Sequence, residues 1–196
     1  LVQQTIYNYS FTPGDADANW EHIYNGILVQ NKKIRELSPN LDLLQGIIDI
    51  NEALAIGTAT TIWGDIPYSE AVPNNPSLLS KKPTYDGQAD VYAAVQSLLD
   101  QGINKVANAT TSTGSEDIFN GGDKAKWIEA ANTLKARNYL LTKNYEKALD
   151  FVAIGVSSAA NTLAYHPIGT VPGNSNIISN LVESSRAGDM TGDGAF

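Results

Sequence analysis

Apolar residues recur along this chain every three or four positions, the spacing of amphipathic helices, and no segment keeps the two-residue alternation of a strand. A first helix follows Asp15 or Asp17, either of which can cap it, and sets Trp20, Ile23, Tyr24, Ile27, Leu28 and Ile34 on one face. Ser38-Pro39 restarts the chain, serine as N-cap and proline at the first helical position. The second helix carries Leu44, Ile47, Ile48, Leu54, Ala55 and Ile62, and its small-residue second half, ALAIGTATT, suits close approach of a neighbouring helix. Asp86 caps a third helix built on Tyr92, Val95, Leu98, Leu99, Ile103 and Val106. The polar stretch NATTSTGSEDIFNGGD then argues against regular structure. Helices four and five are expected over 124–142 and 144–158, joined by a tight turn at Lys143-Asn144. Beyond Asn161 the pattern breaks down: HPIGTVPGNSN reads as loop, 177–185 as a short helix, and GDMTGDGAF as irregular.

Paired helices with short turns invite a search for an internal period, and the last pair gives the best match to a tetratricopeptide repeat. Ala136, Tyr139, Tyr145, Ala148 and Gly155 fall at its small and aromatic positions, whereas Asn132 and Lys135 stand where it prefers large apolar residues. The expectation is an all-α, tetratricopeptide-like hairpin scaffold with long loops.

With 42% apolar and 17% charged residues, 196 residues can bury a core as a single domain. A net charge of −8 without a basic stripe argues against nucleic acid as a partner. The chain has no cysteine, which excludes disulfides, thiolate metal sites and a cysteine nucleophile. No apolar run approaches the roughly 18 residues that span a bilayer. The opening LVQQTIYNYS lacks the basic and apolar regions of a signal peptide.

Candidate chemistry is sparse. His22 lies beside Trp20 and Tyr24 on the first helix and His166 precedes Pro167 in a loop, neither near an evident nucleophile. Ser157-Ser158 has no nucleophile elbow around it. A hydrolase would need a carboxylate pair, Asp15/Asp17, Glu116/Asp117 or Asp189/Asp193, to converge in a cleft. Asp15, Asp17 and Asn19 have the odd-position spacing of a calcium loop but lack its glycine and bidentate glutamate. Trp20 and Trp127 fall at core positions, leaving Tyr68, Tyr85 and Tyr165 as loop aromatics able to face a sugar. No catalytic residue, cofactor or metal is expected.

The least generic stretch is TIWGDIPYSEA, residues 61–71. Gly64 suits the left-handed residue that stops a helix, Asp65 can bind amides released at the turn, and Pro67 keeps Ile66 extended. Trp63 and Ile66 would pin the corner to the bundle. The stretch resembles the characteristic motif of the SusD/RagB family of Bacteroidetes outer-membrane nutrient-binding lipoproteins. ANWEHIYNGILVQNKKI, PTYDGQADVYAAVQSLLDQGI, FNGGDKAKWIEAANTLKARNYLL and SSRAGDM resemble further family segments, in the same order.

The resemblance implies a helical scaffold at the cell surface that captures glycans or other nutrients without catalysis and passes them to a TonB-dependent, SusC-like transporter. It carries Trp63, Gly64, Asp65 and Pro67 over as scaffold motif and assigns no ligand residue. Family members are longer and bear a lipid-anchored cysteine, so residues 1–196 are expected to be the N-terminal and middle part of such a chain, with 161–196 loop-rich and incomplete. The alternative reading is a tetratricopeptide-like protein-interaction module.

Overall fold

The computed structural model describes residues 10, 12–72 and 82–163, and among them five helices follow one another without a strand. α1 runs through residues 17–37, α2 is Asp42–Trp63, α3 is Gln88–Asn108, α4 is Lys124–Leu141 and α5 is Tyr145–Val152. α2 packs on α3, α3 on α4 and α4 on α5, with α1 laid against α2. This is the all-α hairpin architecture that the periodicity predicts.

α2 is the axis of the core. Leu43, Ile48, Ile50, Ala53, Ile56 and Ala59 are all buried, because the helix is enclosed by α1, α3 and α4. A helix apolar on most sides has no single face to read. That is why Leu44, Ile47 and Leu54 prove only half-buried, and Ile62 is 62% exposed.

The tightest contact of α2 lies in its first half and not in ALAIGTATT. A Cβ on Gly102 would sit 2.8 Å from Ile50 Cγ1 and 3.0 Å from the Gly46 carbonyl oxygen. A Cβ on Gly46 would sit 2.7 Å from Val106 Cγ2. At Gly57 an added Cβ would meet nothing nearer than 3.5 Å. Gly102→Val should therefore overpack the α2–α3 seam and cost about 2–3 kcal/mol. The check is urea unfolding, with a lower midpoint and an unchanged slope.

α1 differs from the expected regular helix. Its middle, His22–Leu28, is a π-helical turn between α-helical Asp17–Glu21 and Val29–Leu37. The wider turn shifts the register behind it, so that Leu28, Asn31 and Arg35 face inward while Ile34 is left 36% exposed. Helix starts also move. The Ser38 amide closes α1 on the Ile34 carbonyl, and α2 begins only at Asp42, after a turn in which Leu41 N–H bonds the Ser38 carbonyl. α5 stops at Val152, short of 158, where Gly155 passes against α4: a Cβ there would lie 2.6 Å from Thr133 Oγ1.

Two of the loops are ordered by single aspartates. Asp42 accepts the amides of Thr110 (2.7 Å) and Thr111 (2.9 Å) and both hydroxyls; led by the Thr111 hydroxyl, these bonds hold its carboxyl far below the usual range. Asp117 accepts the Trp127 indole N–H at 2.6 Å and the amides of Phe119, Asn120 and Gly122. The Gly121-Gly122 turn then takes two positive φ values and delivers Asp123, whose side chain caps α4 at Ala125 and Lys126. At the α4–α5 turn Lys143 itself takes φ 61°.

Candidate functional site

The corner after α2 is a reciprocal lock. The helix stops at Gly64, φ 76°, whose amide still reaches the Thr60 carbonyl at 2.9 Å while the Thr60 hydroxyl donates to the Gly64 carbonyl at 2.7 Å. Ile66 pairs with Asp86 through two backbone bonds, 3.2 and 2.9 Å. Asp65 Oδ1 accepts the amide of Gln88, the first residue of α3, at 2.8 Å. Gln88 Nε2 in return donates to the Thr60 carbonyl at the end of α2, 2.7 Å away.

The two aspartates thus exchange the expected roles. Asp65 caps α3 in place of the amides of its own turn. Asp86, expected as that cap, accepts the amides of Tyr68 (2.8 Å) and Ser69 (2.7 Å) and the Ser69 hydroxyl. Burial pushes the Asp86 carboxyl up, but those bonds prevail and leave it below its ordinary value. Trp63 meets Trp20 edge-on at 5.2 Å, and the Tyr24 hydroxyl donates to the Pro67 carbonyl at 2.8 Å. Asp65→Ala removes the α3 cap and should cost about 1 kcal/mol. That loss reads as a fall of about 2–4 °C in Tm by calorimetry.

Behind the corner is a cavity of about 320 Å³, walled by Leu28, Lys32, Arg35, Glu52, Tyr68 and Val72, with Ser69 at its edge. Arg35 donates to Glu52 Oε2 at 2.5 Å and to Asp49 Oδ1 at 2.8 Å. Asp49 is buried and also takes Lys105 at 2.5 Å, while Glu52 Oε1 accepts the Tyr68 hydroxyl at 2.9 Å. Burial, with Glu52 beside it, pushes the Tyr68 hydroxyl far above its ordinary value, so it stays a donor. Burial opposes the Arg35 charge, yet the bonds to Glu52 and Asp49 raise its pKa further. The set is a fixed array of charged donors and acceptors, and it contains no nucleophile with a base.

Sequence reasoning missed this array, though a signal was present. Asp49 and Glu52 interrupt the apolar run IIDINEALAI on what must be a buried helix. Acids almost never bury without a partner.

Two further hollows line the helices. One of about 370 Å³ lies between α1, α2 and the 112–119 loop. Another of about 510 Å³ lies on the α4–α5 hairpin, lined by Leu140, Tyr145, Leu149 and Val152. Leu149 is 71% exposed.

Of the other sequence candidates, His22 lies exposed on α1. Asp15 binds the amide and hydroxyl of Thr12, Asp17 opens α1, and Asn19 is exposed on it. Glu116 is exposed while Asp117 is committed to Trp127, so that pair forms no acid–base couple. Tyr85 is 62% exposed at the edge of the corner and Tyr68 is half-buried in it. Trp127 is buried, as expected of a core position. Tyr165, His166, Asp189, Asp193 and the expected helix at 177–185 lie outside the described residues. Among the described residues no group of three or more His, Asp or Glu is placed to hold a metal ion. Nor is any helix among them long and apolar enough to cross a membrane.

These features meet in a known class. A SusD-like family model, described as "Starch-binding associating with outer membrane", matches residues 2–191, and the chain belongs to that family. Among solved structures it resembles a SusD/RagB family protein from Bacteroides thetaiotaomicron, at 25% identity and TM-score 0.62, over 77% of this chain and 34% of that one. A second SusD-like protein from the same organism matches at 22% identity and TM-score 0.64, over 78% of this chain and 33% of that one. A chitin-binding SusD homolog from Flavobacterium johnsoniae matches at 21% identity and TM-score 0.67, over 85% of this chain and 36% of that one. The chain spans about a third of the length of these structures. No curated protein sequence matches it.

Proposed function

We propose that this chain binds an oligosaccharide nutrient at the outer membrane without converting it, and serves a TonB-dependent, SusC-like transporter that takes the ligand up. The observation that carries the reading is the family match over residues 2–191. The chitin-binding homolog of the same fold supports a glycan as the nutrient class. The absence of catalysis is supported by the duties of the acids: Asp42, Asp65, Asp86, Asp117 and Asp123 hold loops and helix ends, and Asp49 and Glu52 are ion-paired.

A second reading, a protein-interaction module, is favoured by the exposed Tyr145, Leu149 and Val152 on the α4–α5 hairpin. Contiguous apolar surface of this kind marks contact with another protein surface. The test is affinity electrophoresis in native gels cast with soluble starch, glycol chitin or xylan. Retardation in at least one gel is expected; free migration in all three contradicts the glycan reading and favours the interaction module.

A further inference from the structure

We infer that the cavity between α1, α2 and the corner is a subsite for one uncharged sugar ring. The inference rests on the nutrient reading above and assigns it a place and a ligand charge.

Charge comes first. Arg35 and Lys105 are matched by Asp49 and Glu52 in one continuous set of contacts, and Lys32 at the wall has Glu36 at 4.0 Å. An anionic ligand would therefore face Glu52, and a cationic one would face Arg35. Neither gains net attraction, and each meets a like charge at short range. A neutral polyol meets no such opposition.

Hydrogen bonding points the same way. Arg35 uses two of its guanidinium N–H groups on Asp49 and Glu52 while 29% of its side chain is exposed. Guanidinium has five such donors, so about three remain for a ligand. Glu52 presents acceptor oxygens a few ångströms away, each with a second lone pair beyond the bonds to Arg35 and Tyr68. Sugar hydroxyls donate and accept at once, so donors and acceptors fixed side by side suit a ring carrying several of them. Leu28 and Val72 supply apolar wall for the C–H face of that ring.

Economy of structure supports the assignment. Buried ion pairs cost desolvation, and apolar residues of similar size would join α1, α2 and α3 at least as firmly. A charged set kept at the wall of a cavity, with its rotamers locked by mutual bonds, is preorganised for a ligand.

The test uses the full chain with three probes: maltohexaose, chitohexaose and hexagalacturonate. Val72→Trp fills the cavity from its rim. Calorimetry should give binding of a neutral probe, no binding of hexagalacturonate, and at least a tenfold weaker neutral affinity in a Val72→Trp variant that circular dichroism shows to be folded. In parallel, amide shifts on titrating the unaltered chain should centre on Lys32, Arg35, Ser69 and Val72. That reading stands even if the variant fails to fold. Neutral binding with shifts elsewhere, or undiminished in Val72→Trp, overturns the subsite and leaves the nutrient reading intact. Preference for hexagalacturonate overturns the charge argument. Silence toward all three probes, together with free migration in the polysaccharide gels, overturns both.

Discussion

Arg35→Met should destabilise the fold by about 3–5 kcal/mol, the cost of leaving a buried charge without its partner. Arg35 is the group that Asp49 and Glu52 share, at 2.8 and 2.5 Å. Without it Asp49 retains Lys105, but among the described residues Glu52 retains only the Tyr68 hydroxyl. Asp49 is almost fully enclosed and Glu52 opens only onto the cavity, with 11% of its side chain exposed, so water replaces the lost donors only in part. Urea unfolding followed by circular dichroism gives the loss. The triple variant Arg35→Met, Asp49→Leu, Glu52→Leu separates structure from function. It should regain most of the stability, since apolar replacement of a buried ion pair is often neutral or better. A single variant as stable as the parent would mean the pairs are solvated and weak.

Trp127→Ala should cost a similar about 3–5 kcal/mol, as large-to-small changes at buried tryptophans do. Trp127 is buried in the core, meets Phe119 edge-on at 6.4 Å, and donates its indole N–H to Asp117. Asp117 also gathers three backbone amides of the turn that leads into α4. The substitution therefore opens a cavity and loosens the anchor of the 117–122 turn together. Trp127→Phe keeps most of the packing and removes only the N–H, so it should lose about 1–3 kcal/mol. Hydrogen exchange at Phe119, Asn120 and Gly122 should quicken in both variants. Protected amides in Trp127→Ala would show that Asp117 holds the turn unaided.

Much of the scaffold was legible because it is local. The Gly64 stop, the tight turn at Lys143-Asn144 and the periodic face of α3 all depend on residues within a few positions of one another. What could not be read was set by distance along the chain. Asp65 and Gln88 are 23 residues apart, and Asp86 reaches back to Tyr68 and Ser69. Either aspartate is a sound local cap, and only the packing of the corner decides which amides each one meets. The π-helical turn in α1 was invisible to a search at 3.6 residues per turn, and it is what brings Arg35 round to Asp49 and Glu52. The apolar face of α2 was misplaced for a related reason: a helix enclosed by three others has no dominant stripe. Of the candidate site, Tyr68 was legible as a loop aromatic, whereas its partner Glu52 showed only as an acid interrupting the apolar run of α2, with nothing local to name Arg35 or Tyr68 as its partners.

The central claim is that the chain holds a glycan and leaves it unchanged. The most direct measurement is calorimetric titration of the chain with maltohexaose or chitohexaose, followed by mass spectrometry of the recovered sugar after prolonged incubation with excess protein. Saturable heat and a ligand of unaltered mass are expected. Shortened or otherwise altered sugar would contradict the claim, as would the absence of heat with both together with free migration in all three polysaccharide gels.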